Sequence, residues 1–134
     1  MSKMMSLGMF VFSLPTLAYN ELQRDSAWRH ARTGRVGAID AVQYTGRENE
    51  IISLSGDAPA ELMEGAASLD SLRQMAKDGE CWNLMDGNGR VYGAFVITRI
   101  REGQRFFFPD GTPRLIQFGI DLLEVESPHA AEAV

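Results

Sequence analysis

Cysteine and histidine are scarce in this sequence, which has one cysteine, Cys81, and two histidines, His30 and His129. A single cysteine excludes an internal disulfide, and it also excludes a zinc site built from cysteines. Neither histidine has partners at the spacing of a catalytic triad or of a metal site. We therefore expect a protein that is not an enzyme and that has no cofactor or metal ion.

Positive charge is also in deficit, because 13 lysines and arginines face 18 aspartates and glutamates and give a net charge of −5. Binding to nucleic acid by counterion release needs a cationic surface, so nucleic acid is a poor candidate partner. The sequence also lacks the ~20 consecutive apolar residues that a membrane-spanning helix needs. We expect neither a nucleic-acid-binding protein nor a membrane protein.

The longest apolar stretch lies at the N-terminus and allows two interpretations. Lys3, the run from Met4 to Leu14 and the small residue Ala18 imitate a secretory signal with a cleavage site. Cleavage near Ala18 would release a secreted β-domain that binds a small ligand. Serine and glycine interrupt the run, however, and we interpret Gly8 to Leu14 as a strand whose two faces are both apolar and both need cover.

The length of 134 residues fits one domain, and 45% hydrophobic with 23% charged residues is a globular composition. We assign residues 1–126 to this domain. Residues 127–134 are rich in alanine and are predicted to form a flexible C-terminal tail.

Alternation of apolar residues predicts a chain made mostly of strands. A break at Thr33-Gly34 precedes a strand from Ala38 to Tyr44, and a turn at 46–49 is predicted to pair that strand with Glu50 to Gly56. Further strands are predicted at 81–85, 90–101 and 114–125, with turns at 86–89, 102–104 and 108–111. The turn at 86–89 lacks the glutamate that closes a calcium loop.

One helix is predicted after the loop at 57–65. Ser68 can cap it, Leu69, Leu72 and Met75 recur on one face, and Gly79 ends it. These elements predict an α+β fold dominated by β-structure, a β-sandwich or rolled β-barrel with one main α-helix packed on one side.

Short segments along the whole chain resemble one protein family. They are Met5 to Leu14 (MSLGMFVFSL), Trp28-Arg29-His30, the strand at 52–56 (ISLSG), Leu69 to Met75 (LDSLRQM), Tyr92-Gly93 and the turn at 108–111 (FPDG) ahead of Arg114, Ile116 and Phe118. Their order and spacing from about Met5 to Val125 resemble the tail protein U (GpU) family of P2-like contractile-tailed phages. Departures are Ile39-Asp40, where a proline is common, and the polar tail after Glu126.

The resemblance implies a virion structural protein that is assembled in the host cytoplasm and required for tail assembly. It implies a place between the tail tube and the central hub of the baseplate, with the tail tube protein, the hub and other baseplate proteins as partners. Related tube-like proteins have a tail-tube-like rolled β-domain, and by analogy we expect a homo-oligomeric ring, a hexamer. A tail terminator at the other end of the tube is an alternative, and a cell-wall hydrolase is a weaker one because its acid and base residues are missing.

Interface candidates were chosen because Trp, Tyr and Arg are enriched at binding hot spots and because a ring would cover strands that are apolar on both faces. Two interpretations stay open, since Trp28 and Phe107 would also suit a core and Arg114 would also suit a solvated strand start. The candidates are Trp28, Arg29, Tyr92, Phe107, Asp110 and Arg114.

Overall fold

The fold is known from a computed structural model, which describes residues 4–13, 17–59 and 65–126. These residues form nine strands and one helix. The strands are β1 (Met5–Leu7), β2 (Phe10–Phe12), β3 (Glu21–Asp25), β4 (Trp28–Arg35), β5 (Ala38–Arg47), β6 (Ile51–Pro59), β7 (Trp82–Asp86), β8 (Val91–Phe107) and β9 (Pro113–Val125), and the helix is α1 (Gly65–Asp78). The predicted β-dominated α+β class is confirmed, whereas residues 127–134 lie outside the described part.

Seven of the strands form one antiparallel sheet in the order β2-β1-β7-β8-β9-β6-β3. The other two, β4 and β5, pair only with each other in the described part of the chain. The Tyr19 hydroxyl donates to the Met4 carbonyl oxygen (3.3 Å), and the Tyr19 ring lies edge-on to Phe12, 6.1 Å between centroids. These contacts join the β3 end of the sheet to the β1-β2 end, so the sheet is rolled.

The core lies inside this roll, where strands from both ends of the sheet contribute to one cluster. Alternation along β9 and β6 points every second side chain inward, and Ile52 and Leu54 of β6 are fully buried. The N-terminal strands add Met5, Leu7 and Phe12 to the same cluster, and Leu17 follows them. The whole cluster is Met5, Leu7, Phe12, Leu17, Ile52, Leu54, Leu69, Leu72, Leu84, Phe95, Ile116, Phe118, Ile120 and Leu122.

The predicted helix is present but begins earlier than the sequence indicated. Leu69 and Leu72 face the core, and Gly79 has the positive φ (71°) of a helix C-terminus. Ser68, predicted as the N-cap, is buried inside the helix because α1 begins at Gly65. The helix is 14 residues long, and in the described residues no helix is long and apolar enough to cross a membrane.

The N-terminal strand prediction was wrong in form, since Met5–Phe12 is a hairpin and not one strand. Gly8 adopts a positive φ of 60°, and its missing side chain leaves room for Trp82, whose ring would lie 2.5 Å from a Cβ atom. Met9 is therefore exposed at the turn, while Phe12 is buried. Leu14, the predicted end of the strand, lies outside the described residues.

The predicted break at Thr33-Gly34 and the predicted hairpin across residues 46–49 were also wrong. β4 continues through Thr33-Gly34 to Arg35 with a bulge, and the turn lies at Val36-Gly37, where Gly37 has a φ of 73°. β5 therefore pairs with β4, whereas the predicted partner, β6, pairs with β3 and β9.

The predicted turn at 102–104 was wrong because β8 runs straight through it. Glu102 forms an ion pair with Arg73 of α1 (2.8 Å), and Gly103 lies opposite Gln117 in the ladder with β9. The other two hairpins are confirmed. The Asp86 carboxylate accepts from the Asn88 N–H, and the Gly111 N–H donates to the Phe108 carbonyl.

Candidate assembly surfaces

The described residues contain no group of three or more histidine, cysteine, aspartate or glutamate side chains that could hold a metal ion. His30 lies on β4 with its ring 5.4 Å from the ring of Tyr44, and Cys81 is partly buried just before β7. The features that stand out are exposed strands.

The rolled sheet has a free edge on β3 and a second free edge on the outer half of β8. β3 is the last strand in the sheet order, and among the described strands it pairs only with β6. β7 pairs with β8 only as far as Phe95, so β8 beyond that residue has β9 on one side and no described strand on the other. Unpaired strand edges offer backbone N–H and C=O groups to an additional strand.

A groove lies beside the free part of β8. An open groove with a volume of about 230 Å³ separates α1 from this part of the strand. It is lined by Arg73, Ala76, Ile97, Thr98, Arg99 and Ile100.

Four strands, β3, β6, β9 and β8, share an outer face that is polar along two neighbouring cross-strand rows. Cross-strand rows run Gln23-Ser53-Asp121-Arg99 and Glu21-Ser55-Gly119-Arg101. Acidic side chains lie at the β3 end of this face and arginines at the β8 end. We call this surface the polar face.

The hairpin of β4 and β5, from Trp28 to Arg47, is a second exposed surface, which we call the arm. Every residue of β4 is exposed, and β5 has only two partly buried positions. Large apolar side chains are among the exposed ones, including Ile39, which is 85% exposed, and Val42.

A network of charged side chains holds the base of the arm to the sheet. Arg24 donates two hydrogen bonds to Glu50 (3.0 and 3.1 Å), and the Ser26 hydroxyl donates a third (2.8 Å). Arg47 forms a two-pronged ion pair with Glu124 (2.7 and 3.2 Å). Burial acts to raise the pKa of Glu50, but the hydrogen bonds from Ser26 and Arg24 outweigh it and lower the pKa below its ordinary value.

The tip of the β8-β9 hairpin carries two exposed phenylalanines. Phe106 is 66% exposed and has a φ of 57°, the left-handed region that non-glycine residues avoid. Arg114 lies over the Phe108 ring, with Cζ 4.4 Å from the centroid. The Thr112 N–H donates to the Asp110 carboxylate (2.9 Å) and lowers the pKa of Asp110.

The predicted interface residues fall into three groups on the surface. Phe107, Asp110 and Arg114 lie together at the hairpin tip, and Trp28 and Arg29 begin the arm. Phe107 is 53% exposed and Trp28 is 56% exposed, so neither belongs to the core.

Tyr92 stands apart, between the guanidinium groups of Arg24 and Arg90 at 5.4 and 5.0 Å from its centroid. Tyr92 is partly buried and packs against the core. Its ring contacts Arg24, and it therefore helps to hold the Arg24 side chain at the base of the arm.

Sequence reasoning did not single out Glu21 and Asp25, or the apolar side chains of the arm, as interface candidates. Alternation of polar residues in Glu21–Asp25 carried some signal for an edge strand. The sequence of the arm gave little indication that its apolar side chains are exposed, because β5 has the composition of an ordinary strand.

Comparisons with known proteins identify the family of this chain. The family model for phage P2 GpU matches residues 8–127. A probable tape measure protein of Halomonas phage phiHAP-1 is 34% identical over 126 residues, which are 92% of this chain and 14% of that protein. The chain therefore spans only about a seventh of the length of that curated relative.

Two solved structures share the fold at low sequence identity. A chain of the virion of a native gene transfer agent particle has a TM-score of 0.58 at 13% identity, covering 94% of this chain and 92% of that one. A chain of the tail of an empty gene transfer agent particle with C6 symmetry has a TM-score of 0.55 at 14% identity, covering 93% and 92%. Because the family model covers nearly the whole chain, the protein belongs to the phage P2 GpU family and is a structural protein of the phage tail, located in the virion.

Proposed function

We propose that this protein forms a sixfold ring at the junction of the tail tube with the baseplate hub, and that it acts by assembly and not by catalysis. The observation that carries the proposal is the pair of free edges, on β3 and on the outer half of β8, at opposite sides of the four neighbouring strands β8, β9, β6 and β3 of the rolled sheet. A protein with two different open edges can join copies head to tail.

Strand direction favours a closed ring. Each of the strands β8, β9, β6 and β3 is antiparallel to the one before it, so β8 and β6 run in one direction and β9 and β3 run in the other. When copies are related by rotation, β3 of one copy therefore meets β8 of the next in the antiparallel sense, as at every other joint of this sheet. C6 symmetry in one tail of similar fold supports six copies, which would close a barrel of about 24 strands.

Charge complements this joint. Glu21 and Asp25 lie on the polar face at the β3 edge, and Arg99, Arg101 and Arg105 lie on the same face at the β8 edge. Opposite charges on neighbouring strands stabilise pairing, by roughly 0.2–1 kcal/mol for each pair. The polar face would line the channel, since the opposite face is covered by the core and by α1.

Charge reversal tests the joint. We expect native mass spectrometry and negative-stain microscopy to show sixfold rings of the wild type, alone or with the tail tube protein. Glu21→Arg with Asp25→Arg should give monomers, and Arg99→Glu with Arg105→Glu should do the same. A one-to-one mixture of the two variants should form rings again. In a ring of six copies the two variants can alternate, and opposite charges then meet at every joint between β3 and β8.

Asp78→Arg with Glu80→Arg is the matched control for the β3 variant, because it makes the same change of net charge, +4, outside β3 and β8. Rings that form unchanged in both edge variants would overturn the proposed joint. A wild type that stays monomeric at tens of micromolar and with the tube protein present would overturn ring formation itself. The position of the protein in intact tails can be found by labelling it for electron microscopy. A label at the capsid end, instead of the baseplate end, would favour a tail terminator.

A further inference from the structure

Beyond its base, the arm has no partner strand among the residues that the structure describes. Its two strands form a sheet of their own, and both faces of that sheet are exposed. An isolated two-stranded hairpin is at best marginally stable in water, so a hairpin of this length is expected to be covered when the protein works.

The arm exposes apolar side chains on both faces. Val42 and Tyr44 lie on the face of His30 and Arg32, whereas Ile39 lies on the opposite face. Val36 is fully exposed at the turn. Clustered apolar side chains on an exposed surface mark a site of interaction with another molecule.

Charge indicates what that molecule is. The arm contains Arg29, Arg32, Arg35, Arg47 and one acidic residue, Asp40, which gives it a net charge of +3. Because the whole chain carries −5, the rest of the chain carries −8. The arm is therefore complementary in charge to the body of another copy of the same protein.

The arm is held in a defined direction at its base. The Glu48 N–H donates to the Ala27 carbonyl (2.9 Å), and Arg47 is paired with Glu124. An arm that is already positioned loses less conformational entropy when it docks.

We infer that the arm docks on an acidic surface of a second copy of this chain. This inference takes from the proposed function only that copies assemble with one another, and it does not require the pairing of β3 with β8. It adds a second contact, made by the outer end of the hairpin.

Photocrosslinking tests the contact in the intact chain. We replace Val36 with p-benzoylphenylalanine and irradiate, with the same substitution at Asn88, in the exposed β7-β8 turn, as the control. We expect covalent dimers from position 36, with the adduct in the acidic body of the second copy, and few from position 88. High salt should reduce the yield about tenfold, because exposed charges are screened.

Arginine variants separate charge from shape. Arg29→Glu with Arg32→Glu should reduce the dimer yield about tenfold, whereas Arg29→Lys with Arg32→Lys should retain it. Equal yields from the two double variants would overturn the role of charge.

The outcomes separate this inference from the proposed ring. Dimers without rings would support the arm contact and count against edge pairing, and rings without dimers from position 36 would do the reverse. Adducts confined to the arm's own chain, or formed on added duplex DNA in place of protein, would overturn the inference.

Discussion

β9 and β5 are both long strands, of 13 and 10 residues, yet they have opposite environments. β9 lies between β8 and β6 and buries Ile116, Phe118, Ile120 and Leu122 on one face. β5 has one partner strand and exposes Ile39, Val42 and Tyr44. The comparison separates β-structure that folds the chain from β-structure that remains available to another molecule.

The largest expected effect that tests this comparison comes from the core. Phe95→Ala should lower the free energy of unfolding by ~3–5 kcal/mol, because Phe95 is fully buried and leaves a cavity. Val42→Ala in the arm should change it by less than ~0.5 kcal/mol, since Val42 is 62% exposed. Urea denaturation of the dilute monomer measures both, and similar losses would contradict an arm that is unsupported by its own chain.

The same comparison explains what the sequence could and could not predict. Alternation placed Ile116, Phe118, Ile120 and Leu122 on one face, because a strand with one wet face has a period of two. β5 has a similar set of apolar residues. Composition alone does not show whether such residues pack in the core of their own chain or remain exposed for contact with another molecule. The pairing of β5 was therefore assigned to the wrong strand.

Site residues divide in the same way. Phe107, Asp110 and Arg114 were found together because the turn at 108–111 is local in sequence. The two free edges depend on which strands are neighbours in the sheet, and that order arises from contacts between residues distant in the chain. The order of the strands in the sheet cannot be predicted from the local patterns of a single sequence.

A smaller effect is expected at the boundary between the two regions, where Glu50 joins Arg24 and Ser26. Glu50→Gln should lower the free energy of unfolding by ~1–3 kcal/mol, because Glu50 is buried and its charged hydrogen bonds weaken. Glu48→Gln is the control, since the Glu48 side chain is exposed.

The pH dependence of that effect follows from the lowered pKa of Glu50. A carboxyl group with a lowered pKa stabilises the fold above its unfolded pKa of ~4.3, and this contribution is lost as pH falls through the folded pKa. The difference between wild type and Glu50→Gln should therefore be constant above about pH 5.5 and shrink towards pH 3. A difference that stays the same across this range would show that the charge of Glu50 contributes nothing.

The smallest effect sharpens the comparison at the hairpin tip, where Phe106 is both strained and exposed. Its φ of 57° is unfavourable for a residue with a side chain, by roughly 1–2 kcal/mol, and glycine adopts the same φ without that penalty. The Phe106 side chain is largely exposed in the monomer, so Phe106→Gly should raise the free energy of unfolding by up to ~1 kcal/mol.

Phe107→Gly is the control. Because Phe107 has no positive φ, this variant should lower the free energy of unfolding, as glycine does at an ordinary strand position. If Phe106→Gly instead lowers stability, the ring packs on its own chain more strongly than its exposure indicates. If it stabilises the monomer and weakens assembly, the tip belongs with the arm among the surfaces kept for a partner.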